Sequence, residues 1–144
     1  VGGGGLIAGV ATAVKAIKPG AEVIGAQSEL YGAVKKFLDG YNGPVGGATL
    51  AEGVAVKEPS PRNLAIIKKL VDRIDVASEY EIEESVFDLL SDEKLVAEGA
   101  VGAGLAVIRK NLDRLKGKKV GLIVSGGNID SRLLSTLILR GLVR

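Results

Sequence analysis

Neither cysteine nor histidine occurs in this chain, and together the two absences remove much of the chemistry an enzyme can use. There can be no disulfide, no thiol nucleophile, no Cys/His zinc site and no triad built on imidazole. Tryptophan is missing too, and the aromatics amount to three Tyr and two Phe, too few to stack bases along a nucleic acid. Nor is there a surplus of one charge. Nineteen basic residues face seventeen acidic ones for a net charge of +2, and they are interspersed, so no basic stripe marks a nucleic-acid surface. No apolar run approaches the roughly 18–20 residues of a membrane-spanning helix, and no charged n-region marks a signal peptide. The expectation is a cytoplasmic chain with no metal site and neither a membrane nor a nucleic-acid partner.

What is present is enough apolar material for one core: 144 residues, 47% of them hydrophobic, with no internal repeat and no linker. One domain over residues 1–144 is expected. Helix-periodic stretches alternate with short apolar runs, the pattern of an α/β fold with a parallel sheet flanked by helices. Helices are expected over residues 6–18, where Leu6, Val10, Val14 and Ile17 share a face, and over 28–38, capped by Ser28 and stopped by Gly40. Ser60-Pro61 opens another helix, with Leu64, Ile67 and Val71 inward. Ser78 and Glu81 make a capping box for a helix that buries Ile82, Val86 and Leu89. A long helix over 98–115 and a last one over 130–139 complete the set. Strands are expected at 22–26, 73–77 and 119–124, and a glycine-rich loop at 41–49.

Two glycine-rich turns carry the chemistry. Val1-Gly2-Gly3-Gly4-Gly5-Leu6 runs straight into the first helix. Glycine lets the backbone approach an anion closely, and a helix N-terminus adds its positive dipole end. Such a run at a chain end also reads as a linker, but the helical periodicity that follows at once favours the phosphate cradle. Its spacing does not fit a dinucleotide fingerprint, and no Lys-Ser/Thr pair follows Gly9, so it is no P-loop. A simple phosphate monoester suits it better. The second turn, Val124-Ser125-Gly126-Gly127-Asn128-Ile129-Asp130, lies between a strand pattern and a helix pattern, where ligands gather in parallel sheets. On spacing alone, an ordinary βα turn with Asn128 or Asp130 as a helix cap is an equal reading.

Taken together, the Gly-Gly-Gly-Gly-Leu loop, Ala51-Glu52-Gly53, Glu98-Gly99-Ala100 and Ser125-Gly126-Gly127-Asn128-Ile129-Asp130 fall in an order and spacing that resembles the pyridoxal-phosphate-dependent threonine and serine dehydratases, with serine racemases as close relatives. The resemblance spans essentially the whole chain and corresponds to the C-terminal half of that family's catalytic region, the large-domain portion of fold-type II pyridoxal-phosphate enzymes. It implies that the amides of Gly2, Gly3, Gly4, Gly5 and Leu6 hold the cofactor phosphate and that Ser125 faces the pyridine nitrogen. It further implies that Gly53 lines the cofactor with Glu98 close to it. Asn128 and Asp130 are read as holding the turn, and Glu52 stands where many relatives have Asp.

The family's Ser-Phe-Lys type motif with the Schiff-base lysine, and its Ser-Ser-Gly-Asn-His type loop for the substrate carboxylate, do not occur here. Both would lie upstream. Lys15, Lys57 and Lys94 are expected to be solvated, so no catalytic residue is assigned within the chain. The cation site of serine racemases is unmade, since Gln27 replaces its carboxylate and Ala33 stands where the second acid is expected. The resemblance thus implies part of a threonine or serine ammonia-lyase: pyridoxal phosphate as cofactor, an amino-acid substrate, the upstream half as partner, and a homo-oligomer. A serine racemase or another β-eliminating relative is the alternative, as is a non-catalytic anion-binding or oligomerisation module.

Overall fold

The computed structural model describes residues 1–143. Its elements run α1 (Gly5–Ile17), β1 (Ile24–Ser28), α2 (Ala33–Asp39), a 3₁₀ turn (Glu52–Val54), α3 (Pro61–Leu70), β2 (Arg73–Ala77), α4 (Glu79–Ser91), α5 (Gly99–Lys110), α6 (Leu112–Leu115) and α7 (Ser131–Gly141). β1 and β2 are parallel, in register from Ile24 opposite Arg73 to Ser28 opposite Ala77. Helices cover both faces, as the alternating sequence pattern predicts. On one side Ile7, Ala8 and Ala11 of α1 meet Val34, Ile67 and Ile74. On the other, Ala77 packs with Ile82 of α4 and with Ala103, Ala106 and Val107 of α5, against Ile24 and Ala26. A smaller cluster of Leu89, Ala97 and Val101 fills the space between α4 and α5.

Several elements follow their local signals closely. β2 begins and ends as expected, and Gly40 closes α2 with φ +73°. The capping box is made in full: Ser78 Oγ accepts from the Glu81 amide while Glu81 accepts from the Ser78 amide at 2.7 Å. Desolvation opposes ionisation of Glu81, but the bonds from Ser78 and Lys110 outweigh it and hold its pKa below the ordinary value. α4 and α5 lie in direct contact because Gly102 has no side chain; a Cβ there would stand 2.6 Å from Val86 Cγ2 and 2.8 Å from the Ile82 carbonyl.

Tertiary packing overrides other local signals. Of the expected α1 face, Leu6 and Ile17 are 60% and 86% exposed; Val14 packs against the core, and Ile7, Ala8 and Ala11 form the buried side. β1 lies two residues later than expected because its register is fixed by β2. Ser28 therefore ends the strand and caps no helix; its hydroxyl donates to Glu79 Oε1 at 2.6 Å, and α2 starts at Ala33 behind Gly32. Ser60 occupies the N-cap of α3 without a side-chain cap bond. The helix expected over 98–115 breaks at Asn111, whose side chain is drawn to the Val107 carbonyl and to the Arg73–Asp75 pair of β2.

The largest departure is the segment 119–124, which forms no strand. A strand needs a paired partner, and among the described residues this segment pairs with neither β1 nor β2. Leu122 packs beside Leu105, while Val120, Ile123 and Val124 are about half exposed, at 48%, 53% and 49%.

Asp72 locks the entry of both strands. Its amide donates to the Val23 carbonyl at 3.0 Å, and its carboxylate accepts from the Val23 amide and from Lys15 Nζ, each at 2.7 Å. Desolvation opposes ionisation of this carboxyl, but those bonds outweigh it and hold its pKa below the ordinary value. A depressed folded pKa contributes stability above the unfolded pKa that is lost as the pH falls through the folded value. Asp72→Asn should therefore cost about 1 kcal/mol in urea unfolding at pH 7, with the gap from the wild type closing in strong acid.

Candidate functional site

The glycine loop comes first. Gly4 is the N-cap of α1 with φ +86°, a left-handed conformation that glycine adopts without strain, and the first intrahelical bond runs from the Ala8 amide to the Gly4 carbonyl. The amides before Ala8 therefore lie outside the helical ladder, at the positive end of the α1 dipole.

The four glycines are not equivalent. A Cβ on Gly2 would meet Val54 Cα at 2.9 Å, and one on Gly4 would meet Ile67 Cδ1 at 2.7 Å, so these two are glycines because protein packs against them. A Cβ on Gly3 would find only Val56 Cγ1 at 4.0 Å, and one on Gly5 only Asn63 Nδ2 at 3.8 Å. Among the described residues, nothing crowds these positions. Backbone that is bare on the open side of a helix N-terminus is what close approach by a phosphate requires, so the loop fits that group.

Side chains from two other elements hold the loop. Asn63 of α3 donates from Nδ2 to the Gly3 carbonyl at 2.8 Å. Gln27, fully buried at the end of β1, donates from Nε2 to the carbonyls of Val1 at 2.9 Å and Tyr31 at 3.0 Å, and its Oε1 accepts from the Lys35 amide at 3.0 Å. Gln27 thus occupies its whole amide with backbone, where the expectation noted only a missing carboxylate. The backbone nitrogen of Val1 donates to the Ala26 carbonyl.

A row of contacts leads from this loop to the second turn. Gly2 lies against Val54, and Gly53, in the same 3₁₀ turn, faces Glu98, whose Oε1 is 3.5 Å from where a Gly53 Cβ would stand. Glu98 is the N-cap of α5; its amide donates to the Gly126 carbonyl at 3.1 Å, and its carboxylate fills the space a Gly126 side chain would take. Ser125 precedes Gly126 and is exposed. Gly2, Gly53, Glu98 and Gly126 are therefore neighbours in sequence of contact, although they are far apart along the chain. Leu6, the second residue of α1, is exposed.

Glu79 anchors the middle of this row. Its carboxylate accepts from Ser28 Oγ at 2.6 Å, Thr49 Oγ1 at 2.7 Å and the Leu50 amide at 2.8 Å, which joins the end of β1, the 49–51 segment and the start of α4. Sequence reading missed Glu79 because it looks like one more acid in the first turn of a helix. Asn63 was missed for the same reason, as a polar residue on a helix. A polar residue in an apolar strand was the available signal for Gln27.

The remaining candidates have other tasks. Asp130 caps α7, accepting from the amides of Arg132 at 2.9 Å and Leu133 at 3.1 Å, and Asn128 and Glu52 are exposed. Lys15 is not solvated as expected: it is tied to Asp72 and to the Ala21 carbonyl. Lys94 folds back on the Ser91 carbonyl, and Lys57 is exposed.

The glycine loop leaves its amides outside the helical ladder, and contacts through Val54, Gly53 and Glu98 connect it to the turn that carries Ser125. Residues 1–126 match the family described as pyridoxal-phosphate dependent enzyme. The chain is 42% identical over 146 residues to the L-threonine ammonia-lyase of Thermotoga maritima, covering 100% of this chain and 36% of that protein. Among solved structures it superposes on the T.th. threonine deaminase with a TM-score of 0.81 at 35% identity, over 90% of this chain and 48% of that one. It superposes on maize serine racemase with the same TM-score at 26% identity, over 99% and 45%. The chain thus spans between about a third and half the length of these relatives.

Gly4 and Gly5 should separate packing from binding. Gly4→Ala places a Cβ at positive φ against Ile67 and should destabilise the chain by about 1–2 kcal/mol. Gly5→Ala adds helix propensity without displacing a neighbour and should unfold at the same or higher urea concentration. Chemical denaturation of both variants checks this.

Proposed function

The chain belongs to the pyridoxal-phosphate-dependent enzyme family, and from that membership we propose that it is the cofactor-phosphate portion of a threonine or serine ammonia-lyase, which eliminates water from the amino acid and releases a 2-oxo acid and ammonia. The observation that carries this reading is the pair Gly3 and Gly5, backbone left bare on the open side of the α1 N-terminus and connected through Gly53 and Glu98 to the Ser125 turn. The likeness to the Thermotoga maritima ammonia-lyase favours the lyase over the racemase, and so does Gln27, a neutral amide fully engaged with backbone.

When bound, pyridoxal phosphate supplies an electron sink for the Cα–H bond of an amino acid. The chain's own groups bind and orient. The amides of Gly2 to Leu6 would donate to the phosphate, helped by the α1 dipole. The Ser125 hydroxyl would donate to the pyridine nitrogen; a neutral donor would leave that nitrogen unprotonated, which would moderate the sink and suit loss of a β-hydroxyl. Gly53 would leave room for the ring, and the Glu98 carboxylate beside it would border that room. We assign no base for the Cα proton within this chain: Lys15 and Lys94 are engaged elsewhere, and Lys57 lies exposed beside Gly46. That base and the substrate-carboxylate loop are assigned to an upstream segment of a longer protein, which we place in the cytoplasm as a homo-oligomer.

Titration with pyridoxal phosphate followed by amide NMR tests the cofactor site. The resonances of Gly2 to Leu6 should move first and saturate together; shifts confined to other regions would sink the assignment. In the complete enzyme, Ser125→Ala should cost about 1–3 kcal/mol in cofactor retention or in turnover. Full retention together with unchanged turnover would remove Ser125 from the site.

The lyase reading has its own test, 2-oxobutanoate formation from threonine. The 144-residue chain with pyridoxal phosphate should be inactive, and activity should appear on reconstitution with a segment carrying the lysine, since a positioned base is worth about 10² to 10⁴ in rate. Activity of the chain alone that is abolished at Lys15, Lys57 or Lys94 would show the base to be here.

A further inference from the structure

The loop proposed to hold phosphate has no side chains of its own, so its amides must be aimed by something else. A trans peptide is planar, with the carbonyl of one residue and the N–H of the next pointing in opposite directions. Fixing a carbonyl therefore fixes the following amide. Two carbonyls of the loop are fixed by side-chain amides: that of Val1 by Gln27 Nε2 at 2.9 Å and that of Gly3 by Asn63 Nδ2 at 2.8 Å.

We infer that Gln27 and Asn63 are positioning residues for the anion site: by holding the Val1 and Gly3 carbonyls against the protein they turn the Gly2 and Gly4 amides the other way, toward the ligand. Asn63 stands on α3, which packs along α1, so the Gly3 carbonyl faces α3 and the Gly4 amide faces away from it. Restraint is needed here because glycine peptides rotate easily. A glycine accepts both signs of φ, so a peptide between glycines can flip at little cost and present its carbonyl to the anion in place of its N–H. One such flip replaces a donor with a repelling acceptor. Both props are well placed to resist it. Gln27 is fully buried with both Nε2 protons and its Oε1 engaged, and it cannot leave the Val1 carbonyl without orphaning a buried amide proton. Asn63 is partly buried and its Cβ lies against Gly4, where a methyl group would come within 3.2 Å of it.

The inference rests on the reading of the loop as a phosphate site, and the experiment separates the two. The 144-residue chain is titrated with pyridoxal phosphate and, separately, with inorganic phosphate, as wild type and as Asn63→Leu, Asn63→Asp, Asn63→Gln and Gln27→Met, with thermal unfolding and the Gly2 and Gly4 amide resonances recorded for each. Asn63→Leu and Asn63→Asp should weaken binding of both ligands by about tenfold or more, the equivalent of one or two lost amide donors. The free-state Gly4 resonance should shift in both, while the midpoint of unfolding stays within about 4 °C. Asn63→Gln, which keeps a donating amide, should recover most of the affinity; a purely structural role for Asn63 would not give that recovery without a matching change in unfolding. Gln27→Met should act likewise through Gly2, and if it does not fold the Asn63 series decides. Unchanged affinity in Asn63→Leu and Asn63→Asp, with the Gly4 resonance in place, overturns the inference. A wild type that binds neither ligand overturns the phosphate reading instead, and the Gly4 resonance of the free variants then still reports whether Asn63 sets the peptide.

Discussion

A single carboxylate organises the end of the sheet on which the site is built. Glu79 gathers the Ser28 hydroxyl, the Thr49 hydroxyl and the Leu50 amide, and so ties the carboxyl end of β1 and the start of α4 to a segment with no regular structure of its own. Charge-assisted bonds of this kind are among the stronger polar contacts a protein makes. Their position matters more than their strength here. With Leu50 held, the backbone of Leu50 and Ala51 is so close to the start of α5 that a Cβ on Gly99 would stand 2.4 Å from the Leu50 carbonyl oxygen. That close approach sets Glu98, the N-cap of α5, opposite Gly53 and Gly126.

Polar contacts, and not apolar burial, define the geometry around the proposed cofactor. The apolar clusters lie on the two faces of the β1–β2 pair, away from the strand ends. At the strand ends the chain relies on Gln27, Asn63, Glu79 and Glu98, each of which joins two or more segments distant in sequence. Burial is non-directional and tolerates small shifts, whereas a hydrogen bond fixes both distance and direction. A site proposed to orient a phosphate and a ring nitrogen together would benefit from the second kind of restraint.

The apolar segment at 119–124 shows the same distinction from the other side. It carries a strand-like sequence, yet Val120, Ile123 and Val124 stay half exposed because no backbone edge lies beside them among the described residues. Leu122 alone is drawn into the α4–α5 cluster. Apolarity can bring such a segment against the body of the protein, but ladder hydrogen bonds need a partner strand. The turn that follows is held instead by the bond from Glu98 to Gly126 and by the Asp130 cap.

By itself the sequence determined the α/β class, the span of β2, the Ser78–Glu81 capping box, the Gly40 stop and the glycine loop leading into α1, because each depends on residues within a few positions of one another. Its resemblance to a family added the cofactor and the residues of both turns. The tertiary structure alone decided which face of α1 is buried, where β1 begins, why α5 ends at Asn111 and why 119–124 is no strand, since each turns on a partner supplied by another element. The same holds for the proposed site. Which glycines are packed against protein and which are open, and which side chains hold their carbonyls, depends on the positions of Val54, Ile67, Gln27 and Asn63, and local spacing carries no information about contacts made across the fold.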